Sequence, residues 1–120
     1  MKKIIFFLVL IGILTFLASC TFVGTDNELY GKWEHNYGYG MVDSWTFDGF
    51  SATWYNGGTG TSDTRTIMEL DSASGKILID NWHYLYHVSG SVLYMYGGDS
   101  SYPVAAADWW NDGLGTTYYK

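Results

Sequence analysis

Few side chains in this 120-residue chain stand at spacings that could do chemistry. His83 and His87 are four apart, the spacing by which a helix brings two imidazoles onto one zinc ion. The alternation around them, Tyr84-Leu85-Tyr86-His87-Val88, is that of a strand, in which four residues span about 13 Å at roughly 3.3 Å each. Zinc ligands lie about 2 Å from the metal, so the two rings cannot share one ion. Asp108-Trp109-Trp110-Asn111-Asp112-Gly113 has the glycine of a calcium loop at its sixth place. Trp110, however, occupies the third ligand position, and Tyr119 stands where the bidentate glutamate belongs. That segment reads as a capped turn carrying two tryptophans. Twelve acidic residues could supply an acid–base pair for hydrolysis, but they are scattered over strand ends and turns. No serine has the Gly-x-Ser-x-Gly context of a nucleophile elbow. The glycine-rich stretch from Asn56 to Ser62 lacks the Gly-Lys-Ser/Thr ending of a phosphate loop and reads as a connection. The expectation is a non-enzyme with no catalytic residue, no metal and no cofactor.

The side chain in a reactive context is Cys20, the chain's one cysteine. It follows a basic start, Met1-Lys2-Lys3, and an apolar run from Ile4 to Ala18, the layout of a secretory signal. Those 15 residues are fewer than the roughly 20 of a spanning helix. Leu17-Ala18-Ser19-Cys20 resembles the lipobox of bacterial lipoproteins. The resemblance implies that residues 1–19 are a cleaved signal peptide. It also implies a diacylglyceryl thioether on Cys20, usually with a third chain, commonly palmitate, on its amine. Each buried methylene contributes about 0.8 kcal/mol, so two or three chains hold a protein on a membrane without a spanning helix. The implied location is the bacterial cell envelope, lipid-anchored to a membrane, the outer one if the cell has one.

Removing the leader leaves 101 residues, enough for one domain. Lys2 and Lys3 go with it, so 4 basic residues face 12 acidic ones, a formal net charge of −8. That argues against nucleic acid as a partner, since phosphate backbones are bound by displacing their counterions with cations. With Cys20 acylated no thiol remains for a disulfide, so the fold depends on its core alone. All 6 Trp, all 11 Tyr and 3 of the 6 Phe lie in the mature part. Such aromatic density favours the half-buried surfaces of a β-sheet.

Residues 20–28 read as the acylated cysteine and a short flexible tether, and residues 29–120 as the domain. Leu29 to His35 alternates, with Leu29, Gly31, Trp33 and His35 on one face. Val42–Asp48 and Phe50–Tyr55 form a hairpin about Asp48-Gly49, with Trp45, Phe47, Ala52 and Trp54 facing one way. Strands follow over 64–70 and 76–80. Tyr84–Val88 and Ser91–Met95 pair about Ser89-Gly90, placing Val88 opposite Ser91 and Tyr86 opposite Leu93. Tyr102-Pro103 predicts a short helix near 103–110, and residues 114–119 a closing strand. Gly31-Lys32-Trp33 resembles the first-strand Gly-x-Trp of the lipocalin-like (calycin) group. Trp45-Thr46-Phe47-Asp48-Gly49 and the spacing Tyr86-x-Val88-x-Gly90-x-x-Leu93-x-Met95 are similar to its small lipoprotein members. The resemblance spans Leu29 to about Tyr96 and implies an all-β, small antiparallel up-and-down barrel of seven to eight strands. It further implies that Trp33 plugs the closed end.

A barrel of this size either fills its interior or holds one small ligand. Trp33, Trp45, Trp54 and Tyr86 are the candidate ligand-binding residues of such a cup, for a small apolar ligand. The alternative is a module that docks an envelope protein or a glycan, for example a hydrolase inhibitor. Adjacent side chains of a regular helix or strand cannot both point straight into one core, so Trp109 and Trp110 are the candidate partner surface, with at least one of them in an exposed patch.

Overall fold

In the computed structural model, residues 28–120 are described; the expected signal peptide, Cys20 and the expected tether as far as Asn27 lie outside the described residues. Eight strands follow in order: β1 (Gly31–Gly38), β2 (Met41–Asp48), β3 (Ser51–Asn56), β4 (Thr61–Asp71), β5 (Lys76–Ile79), β6 (Trp82–Ser89), β7 (Val92–Asp99) and β8 (Thr116–Tyr119). Each pairs antiparallel with the next, and β8 returns to β1 to close an up-and-down barrel. Closure pairs the two outer strands of the sheet, with β8 covering β7 over Val92–Met95. The β1–β8 seam is short, with Glu34 opposite Tyr119. His35 reinforces it by donating from Nδ1 to the Thr117 carbonyl at 2.8 Å.

Alternation sets the core. Trp33, Trp45, Phe47, Ala52, Ile67, Ile77, Ile79, Tyr86, Leu93, Met95 and Tyr118 are buried together with Leu29. Two hairpins differ from the sequence expectation by one residue in their loops. Asp48 pairs with Ser51 and Ser89 with Val92, so the two-residue loops are Gly49-Phe50 and Gly90-Ser91. In each the glycine comes first, with φ of 56° and 59°, where a type II′ loop requires it. In β6–β7 the pairing moves by two, putting Val88 opposite Leu93 and Tyr86 opposite Met95. A two-residue slip keeps every side chain on its face, so the inward set is unchanged.

The two ends of the barrel differ. At one end lie the tight β2–β3 and β6–β7 loops, residues 72–75, and both the start of β1 and the end of β8. There Trp33 is fully buried and donates from Nε1 to the Leu29 carbonyl at 2.8 Å. Lys120 Nζ lies 5.0 Å over its ring and donates to the Tyr30 carbonyl. The opposite end carries the β1–β2, β3–β4 and β5–β6 turns and the long β7–β8 connection. In the β3–β4 turn the amides of Gly58 and Thr59 donate to Asn56 Oδ1, and that of Gly57 to Asp43 Oδ1. Those amides serve the loop itself.

The helix expected near 103–110 is reduced to a single 3-10 turn, Trp109–Asp112, ended by Gly113 in the left-handed region. Residues 103–106 form no regular element. Their alternative is to lie across the barrel wall: Tyr102 donates to Glu69 Oε2 at 3.1 Å and its ring meets His83 edge-on at 4.6 Å.

Candidate aromatic cleft at the barrel mouth

Trp33, Trp45 and Trp54 form one row across β1, β2 and β3, each directly opposite the next. Strands of a closed barrel are tilted by roughly 35–45°, so a row taken across them climbs from one end to the other. Trp33 therefore sits at the closed end, Trp45 midway and Trp54 near the open one. The upper part of this row forms one wall of a cleft of about 490 Å³. Trp45 and Trp54 have ring centroids 5.1 Å apart and tilted by 49°. Tyr84 from β6 meets Trp45 edge-on at 5.7 Å, and Tyr118 from β8 meets Trp54 edge-on at 6.4 Å. Trp82 and Met95 complete the wall, while Tyr96 and Asp99 stand among the remaining lining residues. Gly98 makes room for this arrangement: a Cβ there would lie 3.0 Å from the Tyr84 hydroxyl and 3.1 Å from its ring.

Two of the four expected cup residues, Trp45 and Trp54, line the cleft. Trp33 and Tyr86 do not; both belong to the filled part of the core. A shared inward face fixes direction and leaves depth open, which is why sequence alternation joins all four. The lining residues outside that expectation are Trp82, Tyr84, Met95, Tyr96, Asp99 and Tyr118. Tyr84 and Met95 carry a visible signal, since they alternate with Tyr86 and Leu93. Trp82 precedes the stretch that reads as strand, and Tyr118 lies in the least regular segment.

Of the two adjacent tryptophans, Trp109 is buried and Trp110 is partly open. Trp109 is only 5% exposed and packs on Tyr96 at 5.9 Å. Trp110 is half-buried and stacks flat on His87, with centroids 3.6 Å apart and planes 4° from parallel. The physical reason is the outer wall of β6 and β7, which carries Leu85, His87 and Tyr96 and is apolar enough to need a cover. The β7–β8 connection supplies it. His83 and His87 have separate partners, His83 donating from Nδ1 to the Asp99 carbonyl at 3.1 Å. Among the described residues, no three His, Cys, Asp or Glu side chains gather as a metal site.

Burial pushes the Tyr118 phenol up to about 12, and Tyr84 is raised by burial and by the Asp99 carboxylate. The unfolded phenol ionises near 10, so between pH 10 and 12 the folded state holds more protons. The contribution of Tyr118 is whole below pH 10 and is lost as pH rises toward 12. Raising a phenol from near 10 to about 12 corresponds to a loss of about 2–3 kcal/mol. Urea unfolding at pH 9 and near pH 11.5 should therefore show a smaller alkaline loss in Tyr118→Phe than in the wild type. Equal losses in both proteins would mean that Tyr118 ionises normally.

No family model, no curated protein and no solved structure matches this chain.

Proposed function

We propose that this chain is a lipid-anchored, non-enzymatic protein of the bacterial cell envelope whose barrel mouth holds a small apolar ligand. The anchor is argued from Leu17-Ala18-Ser19-Cys20 at the end of a short apolar leader. The ligand site is argued from one observation, the cleft of about 490 Å³ walled by Trp45, Trp54, Trp82, Tyr84 and Tyr118. Small-molecule sites are concave, mainly apolar, and about 300–1,000 Å³ in volume. The inner face at this end is not packed shut, although the lower half of the same barrel is. A docking role for Trp109 and Trp110 has less support, because Trp109 is already buried against Tyr96.

An uncharged, environment-sensitive apolar fluorophore should bind the full chain saturably, at about one per protein. Trp54→Ala should weaken that binding by about tenfold, which corresponds to about 1.4 kcal/mol, the upper range for one aromatic contact. Trp110→Ala, on the outer wall, should leave it unchanged. Saturable binding indifferent to both Trp45→Ala and Trp54→Ala would defeat the cup.

A further inference from the structure

The cleft is walled mainly by π faces, where a site for purely aliphatic ligands would need only Leu, Ile and Val. The rings of Trp45, Trp54, Trp82, Tyr84 and Tyr118 line it, and among the described residues no Lys, Arg or His does. The charged side chain in the lining is a carboxylate, Asp99. Aromatic faces carry the negative lobe of a quadrupole and attract cations, most strongly where water is excluded.

The charges around the lining are acidic in balance. Arg65, opposite the inward-facing Ala52, lies 5.1 Å over the Trp82 ring, and its guanidinium is held by Asp63 at 2.8 Å and Asp80 at 2.7 Å. Two carboxylates on one cation leave that cluster with a net charge of about −1. Asp43 is buried, and it shares with Trp45 the inward face of β2. The carboxylate of Asp99 is felt inside the cleft, where it helps keep the Tyr84 phenol protonated. With two carboxylates on the one guanidinium and Asp99 in the lining, an anionic ligand would meet net repulsion here. A neutral one would gain burial but nothing from ring or carboxylate charge.

We infer that the cleft selects a cationic ligand, an alkyl- or arylammonium whose charged head sits among the tryptophan and tyrosine faces beside Asp99. The inference rests on the proposal that the cleft is a ligand site, and it adds the charge class of the occupant. The cation's apolar body fills the cleft toward Met95, and its head stays at the mouth, where Asp99 is situated. Arg65 already lies over the Trp82 ring, and no basic residue stands among the described lining residues themselves.

Three probes of one shape test this: benzyltrimethylammonium, its uncharged carbon isostere neopentylbenzene, and the anion phenylmethanesulfonate. Each is titrated against the bound apolar fluorophore on the full chain in nanodiscs of an uncharged glycolipid, with empty discs as the blank. The ammonium should displace the fluorophore at about tenfold lower concentration than its isostere, and the sulfonate should not displace it. Asp99→Asn should cut that preference to about threefold or less. A salt series on the wild type needs no variant. The preference should shrink by about threefold between low salt and about 0.5 M, because a carboxylate at the mouth is screened. Equal displacement by ammonium and isostere would overturn the inference, as would a preference indifferent to both Asp99→Asn and salt. If the fluorophore itself never saturates, the cup reading falls and this inference with it, a result distinct from equal displacement.

Discussion

Trp33→Ala is expected to lower the stability of the barrel by about 3–5 kcal/mol, the range for truncating a large buried aromatic. The ring is fully buried at the closed end, where the surrounding strands are joined by tight loops and cannot collapse into the space left. The change also removes the Nε1 donor from the Leu29 carbonyl, and Leu29 is itself fully buried. A buried carbonyl without its donor adds a desolvation cost of about 1–3 kcal/mol. Lys120 loses the ring beneath its ammonium, so the short β1–β8 seam is loosened from both sides. Urea unfolding followed by circular dichroism would measure the loss. Trp110→Ala, removing a half-buried ring from the outer wall, serves as the comparison and should cost far less. A loss below about 1 kcal/mol for Trp33→Ala would mean that the closed end does not depend on it.

Cys20→Ser should have the largest effect on where the protein resides. A serine hydroxyl cannot form the thioether that the lipobox resemblance implies, so no diacylglyceryl group would be added. In that family processing follows acylation, and the variant should accumulate as the full precursor of 120 residues. Intact mass measurement would show the leader still attached and no lipid, where the wild type would show its loss and two or three acyl chains. Normally processed, membrane-held protein recovered from Cys20→Ser would remove the anchor from the proposal.

The barrel is legible in the sequence because its strands alternate. Period two alone places Leu29, Trp33, Trp45, Phe47, Tyr86, Leu93 and Met95 inward, and all are buried. The hairpin loops fall one residue away from their expected positions, because a glycine expected second in the loop comes first in a II′ geometry. The cleft is half legible. Trp45 and Trp54 stand on a readable face, but the tilt that carries that row from closed end to mouth is a property of the closed barrel as a whole. The burial of Trp109 is not legible, for a different reason. Strand alternation tells which side chains leave the core, such as Leu85 and Tyr96, and says nothing about which distant segment will cover them.

Both the start of β1 and the end of β8 lie at the closed end, directly opposite the cleft. If Cys20 carries the lipid, the eight residues before Leu29 reach at most about 26–29 Å, at roughly 3.3–3.6 Å each. Eight-residue strands tilted in a barrel add about 20 Å of height. A tether of that length exceeds the height of the barrel. Although the anchor would be joined under the sealed base, the mouth could still turn down to the supporting leaflet as well as out to the aqueous side, so a membrane lipid and a water-soluble amphiphile would both lie within its reach.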